Sequence, residues 1–212
     1  MKRCSKLRLI MLACFGACAG SMALVLQASP VSVNVTSAAG AAATDTIVVF
    51  DPLDTAPPPK RATAVVDQIN KRFAPRVSVV RTGTSVTFPN SDHIRHQVYS
   101  FSVAKPFTLK LYAGSPPTDI VFDKPGLVVL GCNIHDTMVG YVGVVDSPYF
   151  GLVNESGAVA LELPVGHYKL RIWNPNLAAT RPTQEVEVTA APLQLVLTIE
   201  LDPNRETVAD WP

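Results

Sequence analysis

Cys132, His135 and Met138 stand in the run Gly131-Cys132-Asn133-Ile134-His135-Asp136-Thr137-Met138, at the spacing C-x-x-H-x-x-M. One tight loop therefore offers a thiolate, an imidazole and a thioether. Soft sulfur donors with imidazole favour copper over magnesium, calcium or manganese, and two histidines with one cysteine and a long axial methionine form the electron-transfer geometry of mononuclear copper. Such a set needs one more imidazole, supplied by another strand. His96, in Asn90-Ser91-Asp92-His93-Ile94-Arg95-His96-Gln97-Val98-Tyr99, is the candidate. Its rival His93 sits in the middle of a turn, whereas His96 leads into an alternating Val98, Ser100 strand that can hold a ring rigidly.

Each of these residues has a plainer role to set beside this one. A lone cysteine is usually a small buried hydrophobe, and a lone methionine is core filler more often than a ligand. Their arrival together with His135 at ligand spacing favours the metal. Asp92 and Arg95 read most simply as a charged loop, His167 as a surface strand residue, and Trp173 and Trp211 as packing residues.

The rest of the chain fixes the compartment in which this chemistry would run. Lys2, Arg3, Lys6 and Arg8 precede an uncharged apolar run from Leu9 to Leu26 that ends in Leu26-Gln27-Ala28. Residues 1–28 therefore read as a cleavable secretory signal with cleavage near Ala28. Cleavage after Ala19 and an uncleaved membrane anchor rank below it. Removing that leader takes away four basic residues and no acidic one, leaving 14 basic against 17 acidic, and no basic stripe for nucleic acid or an anionic membrane. Cys4, Cys14 and Cys18 go with it, so Cys132 becomes the only cysteine of the exported chain. A thiol without a disulfide partner in an oxidising compartment is a liability unless something occupies it. A bound metal would do that.

The elements that must position the loop read as β throughout. Residues 29–61 are expected to hold an aperiodic Ala, Ser, Val and Gly linker to Ala43, a first strand at Thr46–Phe50 and a proline-rich turn at Pro57-Pro58-Pro59. Residues 62–146 carry short strands with turn punctuation, among them the pairs Val77, Val79 and Val86, Phe88, the face Phe107, Leu109, Leu111, and Leu127–Leu130, which delivers Cys132. The stretch Ala64–Lys71 allows either a short helix or an extended run, and Pro75 favours the latter. Residues 147–212 form a second β-module, with Val159–Leu163 and Tyr168–Ile172 predicted as a hairpin about Pro164-Val165-Gly166, and a period of two from Leu193 to Leu201.

Residues 62–146 resemble the cupredoxins, or blue copper proteins, most closely the amicyanin-like and methylamine utilisation protein-like members. The resemblance rests on Phe73-x-Pro75, Gly83-x-x-Val86-x-Phe88-x-Asn90, His96-x-Val98, Cys132-x-x-His135-x-x-Met138 and the exit Gly140-x-Val142-x-Val144. It implies a Greek-key β-sandwich with one type 1 copper at one end, held by His96, Cys132, His135 and Met138, since His96 falls in the family's register from Asn90. Gln97 replaces the asparagine that many members carry beside the first ligand, and Asp136 replaces a proline. Residues 151–173 separately resemble transthyretin-like or carboxypeptidase-regulatory-like modules through Leu163-Pro164-x-Gly166-x-Tyr168-x-Leu170, and Thr46–Phe50 could belong to that module, making the copper domain an insertion.

The expected function is periplasmic single-electron transfer by Cu(I)/Cu(II) cycling, with a dehydrogenase or cytochrome as donor and acceptor and no catalysis by the chain itself. A copper storage or delivery protein, and a metal-free β-accessory or adhesion protein, are the alternatives. A multicopper oxidase or reductase would need more than the four histidines present.

Overall fold

The structure is a computed structural model that describes residues 28–54, 57–58, 60–178, 183–204 and 211. The expected signal lies outside the described residues except for Ala28. The fold is all-β, and among the described residues no helix is long and apolar enough to cross a membrane.

The chain begins with β1 (Ala28–Ser37) and β2 (Ile47–Pro52). It continues through β3 (Thr63–Val65), β4 (Asp67–Ile69), β5 (Arg72–Ala74), β6 (Val77–Arg81), β7 (Thr84–Thr87), β8 (His96–Ser100), β9 (Phe107–Tyr112), β10 (Ile120–Phe122), β11 (Gly126–Gly131) and β12 (Val139–Val145). It ends with β13 (Tyr149–Leu152), β14 (Ala158–Pro164), β15 (Gly166–Trp173), β16 (Thr183–Val188) and β17 (Leu193–Ile199). The hydrogen-bonded orders are β14-β1-β17 and β13-β2-β15-β16 for the outer elements, and β10-β7-β3 and β6-β12-β11-β8-β9 for those between them, with β4 and β5 as a separate hairpin.

These sheets stack in four layers. Val31, Val33 and Val35 of β1 meet Phe50, Leu170 and Ile172 of the four-stranded sheet in one core, the outer sandwich. Val86 and Phe122 meet Val98, Leu130, Val142 and Val144 in a second core, the inserted sandwich. A third apolar layer joins the two sandwiches, with Ile47, Val49 and Trp173 against Val77, Leu127 and Tyr141. Strands β2 and β12 thus bury both faces, which is why their sequences are continuous apolar runs instead of alternating ones. Gly143 has no side chain because a Cβ there would lie 2.4 Å from Trp211 and 2.7 Å from Ile47.

Three expectations are corrected here. The linker expected from residue 29 begins as a ten-residue strand, the centre of its sheet, antiparallel to β14 and parallel to β17. Its Val31, Val33 and Val35 do alternate with Ser32, Asn34 and Thr36, and pairing on both sides turns that short pattern into a buried strand. The hairpin expected about Val165 does not form: β14 pairs with β1, and β15 with β2 and β16, so the chain changes sheets at that point. Finally, Leu111 is half exposed, because a bulge between His96 and Val98 shifts the register of β8 against β9. The ambiguous run at 64–71 is extended, as β3 and β4.

Candidate metal centre

Strand β11 carries Val128 and Leu130 into the core and ends at Gly131, whose neighbour Cys132 is 3% exposed. Gly131 pairs with Tyr99 of β8. A Cβ at Gly131 would fall 2.6 Å from the Tyr99 ring, so only glycine lets the two strands close up directly before the thiol. The loop then turns back on itself, with the Met138 amide donating to the His135 carbonyl at 2.9 Å. Met138, 1% exposed, returns to the same buried cluster as Cys132.

His96 opens β8 and is fully buried. The segment before it is held by buried amides. Asn90 Nδ2 donates to the carbonyls of Ile94 and Tyr112, each at 2.9 Å, and Gln68 Nε2 donates to the carbonyls of Phe88 and Pro89 at 3.2 and 3.1 Å. Tyr112 donates its hydroxyl to Phe88. Burial, the leading effect, pushes that phenol up to about 12, so it stays a neutral donor.

Three ligand-type atoms converge where these elements meet. One atom each from His96, Cys132 and His135 lies within 4.8 Å of the others, and this is the one such group of histidine, cysteine or carboxylate side chains found among the described residues. His96 Nδ1 stands 3.8 Å from Cys132 Sγ, and the two imidazole rings are 5.2 Å apart. His135 is half-buried, yet its Nδ1 is completely enclosed and has no hydrogen-bond partner. A buried imidazole nitrogen without a partner is costly unless something else fills its place. Two imidazole nitrogens and a cysteine sulfur, with Met138 buried in the same apolar core as that sulfur, suit a soft or borderline ion such as copper. The residues present therefore fit the metal.

The other sequence candidates fall as follows. His93 is exposed, as is Asp136, and His167 lies exposed on β15. Gln97 ties the two halves of the site together by accepting from Asn133 Nδ2 at 3.0 Å. Asp92 is not a plain loop charge: its Oδ2 lies 2.8 Å from His96 Nε2, and it accepts the backbone amides of Asn70 and Lys71. Burial pushes the Asp92 carboxyl up, but the Lys71 amide, the His96 ring and the Asn70 amide together outweigh it and hold the group below the ordinary carboxylate range. An ionised carboxylate only accepts, so Nε2–H is the donor in this contact, and Nδ1 is the ring nitrogen that faces Cys132 Sγ. Metal-bound histidines commonly donate their second N–H to a carboxylate, so an aspartate four residues before a candidate ligand was the signal that could have revealed this pair.

No family model matches the chain, and no curated protein matches it. Solved structures that it resembles include a copper-containing nitrite reductase from Thermus scotoductus, at 29% identity and a TM-score of 0.36 over 44% of this chain and 25% of that one. A purple cupredoxin from Nitrosopumilus maritimus is similar at 26% identity and a TM-score of 0.32, over 39% of this chain and 98% of that one. A reduced amicyanin variant is similar at 20% identity and a TM-score of 0.35, over 46% and 97%. This chain thus spans a quarter of the nitrite reductase and nearly all of the other two.

Proposed function

We propose that this chain is an exported, amicyanin-like type 1 copper protein that carries single electrons between redox partners. The observation that carries this reading is the convergence of His96, Cys132 and His135 within 4.8 Å, with the His135 nitrogen buried and unpartnered. Copper, when bound, supplies a one-electron Cu(I)/Cu(II) couple tuned by the axial donor and by hydrogen bonding around the sulfur. The protein's part is positional. His96 is fixed by Asp92, Cys132 by the strand pair β11 and β8, and His135 and Met138 by the short loop between β11 and β12. A β-scaffold of this kind keeps the ligand atoms in place in both oxidation states, which limits reorganisation at each transfer.

His135 is the one ligand that is not fully buried, so electrons would enter and leave by its exposed edge without any substrate reaching the metal. The partners are other periplasmic redox proteins, a dehydrogenase or a cytochrome, and the chain is not itself an enzyme. Mature protein recovered from the periplasm should begin near Ser29, as mass spectrometry would read. The deciding experiment adds Cu(II) to purified mature protein and records visible absorption, electron spin resonance and voltammetry. One equivalent of copper, an intense visible band and reversible one-electron chemistry are expected. Uptake with no such band, or with no reversible couple, would favour storage or delivery.

A further inference from the structure

Three N–H groups converge on one carboxylate behind the candidate site. Asp92 Oδ1 accepts the Asn70 amide at 2.7 Å, and Oδ2 accepts both the Lys71 amide and His96 Nε2 at 2.8 Å. Asn70 and Lys71 form the turn between β4 and β5, and both have positive φ, 54° and 58°. That left-handed conformation is uncommon for residues other than glycine, and more so for lysine than for asparagine. Here it aims two successive amides at one point, the concave arrangement that receives an anion.

The hairpin is itself anchored to the segment that leads to His96. Ser91 Oγ donates to Asp67 Oδ2 at 2.7 Å, the Ser91 amide donates to the Gln68 carbonyl at 3.1 Å, and Gln68 reaches the carbonyls of Phe88 and Pro89. Asp92 is thus held from β4 and β5 on one side and grips the ligand ring on the other.

We propose that the Asn70-Lys71 turn of this hairpin is a remote positioning element of the metal centre, acting through Asp92 to set the orientation and tautomer of His96 before any metal arrives. The copper reading supplies the identity of the ion, whereas the positioning is a property of the metal-free chain. Both Asp92 oxygens face N–H groups, so an amide in its place would turn an NH2 toward another donor. Only a carboxylate satisfies all three. With Nε2–H donated to Asp92, the Nδ1 lone pair points at Cys132 Sγ, and a ligand fixed in this way loses little freedom on binding. A carboxylate hydrogen-bonded to a metal-binding ring strengthens that ring as a donor, and a stronger nitrogen donor favours Cu(II) over Cu(I).

The test uses the full mature protein labelled with 15N at histidine, first without metal and then with copper. In the metal-free wild type, His96 should show a single Nε2–H tautomer. Asp92→Asn, and separately a glycine inserted between Asn70 and Lys71 to swing the two amides off the carboxylate, should each give mixed tautomers. His93→Ala, on the exposed neighbour, serves as the reference and should match the wild type. Copper affinity of Asp92→Asn should fall about 10- to 100-fold, the usual cost of losing such a partner. A tenfold loss specific to Cu(II) would raise the potential by about 59 mV. Retention of the Nε2–H tautomer and of wild-type affinity in Asp92→Asn overturns the proposal, and so does an insertion variant that keeps both. Should the wild type take up no copper while the tautomer responds as described, the copper reading falls and the positioning stands.

Discussion

The two sandwiches are built from the same material and differ in what their buried polar groups face. In the outer one, Ser29 Oγ donates to the Ala191 carbonyl, Thr46 Oγ1 to Ala43, Ser147 Oγ to Phe50 and Asn174 Nδ2 to Thr44. Each of these groups reaches a backbone carbonyl, and so has the partner that buried polar groups ordinarily have. In the inserted sandwich, Asn90 Nδ2 and Gln68 Nε2 likewise reach backbone carbonyls, but Gln68 Oε1 and Ser78 Oγ are buried without a partner, His96 turns one ring nitrogen toward a thiol and His135 leaves one with no partner. Trp173 Nε1 is also buried without a partner, in the layer between the sandwiches. An indole N–H has no lone pair to offer a metal, so that vacancy carries no ligand chemistry. What sets the inserted sandwich apart is that imidazole and sulfur donors collect at one place in it, and function sits on such a site grafted on a shared architecture.

The comparison breaks most completely at Cys132. Only its thiolate can supply the sulfur-to-copper charge transfer that colours such a centre, so Cys132→Ala should abolish the visible band entirely. Stability should change by only about 1 kcal/mol, the central value for point mutants. Circular dichroism and absorption on the same sample check both parts, and a coloured variant would remove the site.

His93 in the β7–β8 connection and His96 at the start of β8 sharpen the contrast within a few residues. His96→Ala should lose or grossly alter the spectrum, because it deletes a buried ring 3.8 Å from the thiol. His93→Ala, at an exposed position, should leave it nearly unchanged. Metal-loaded spectra of the two variants decide the register, and the reverse outcome would reassign the ligand.

A change confined to the outer sandwich should do the opposite of these. Phe50 is fully buried in that core, against Tyr168, and Phe50→Ala should cost about 3–5 kcal/mol through lost burial and the cavity left behind. The copper spectrum without denaturant should be that of the wild type, since Phe50 points away from the layer that meets the inserted sandwich. Urea unfolding followed by fluorescence measures the first effect. A shifted visible band would show that the two sandwiches are electronically or mechanically coupled through β2.

Much of this contrast was legible in the chain. The ligand loop could be read because chemistry forces C-x-x-H-x-x-M into a few consecutive residues, and turn punctuation marked off the strands around it. What local pattern cannot show is partnership. Strand β1 looked like linker because alternation over Val31, Val33 and Val35 is short and flanked by small residues, and its stability comes from two strands more than a hundred residues away. The segment around Val165 looked like a hairpin because a turn signal does not say which sheet each arm will join. Asp92 looked like a solvated charge because its partners, Asn70 and Lys71, are brought to it only by the fold.

Met138 supplies the smallest and most discriminating effect. Met138 is buried with Cys132 in one apolar core, and with copper bound it would be the weak fourth donor beside His96, Cys132 and His135. Its contribution is then tuning, since the axial ligand adjusts the potential of such centres. Met138→Leu nearly conserves volume and should cost less than about 1.5 kcal/mol of stability. It removes a soft donor that lends electron density to the oxidised ion, so Cu(II) is stabilised less and the potential should rise. Met138→Gln offers an oxygen donor that favours Cu(II), so the potential should fall. Both variants should still take up one copper, because His96, Cys132 and His135 are untouched. Voltammetry on the wild type and the two variants checks the order. Coincident potentials, or a Met138→Leu protein that no longer holds copper, would make Met138 a packing residue of the core or an essential ligand, and in neither case a tuning one.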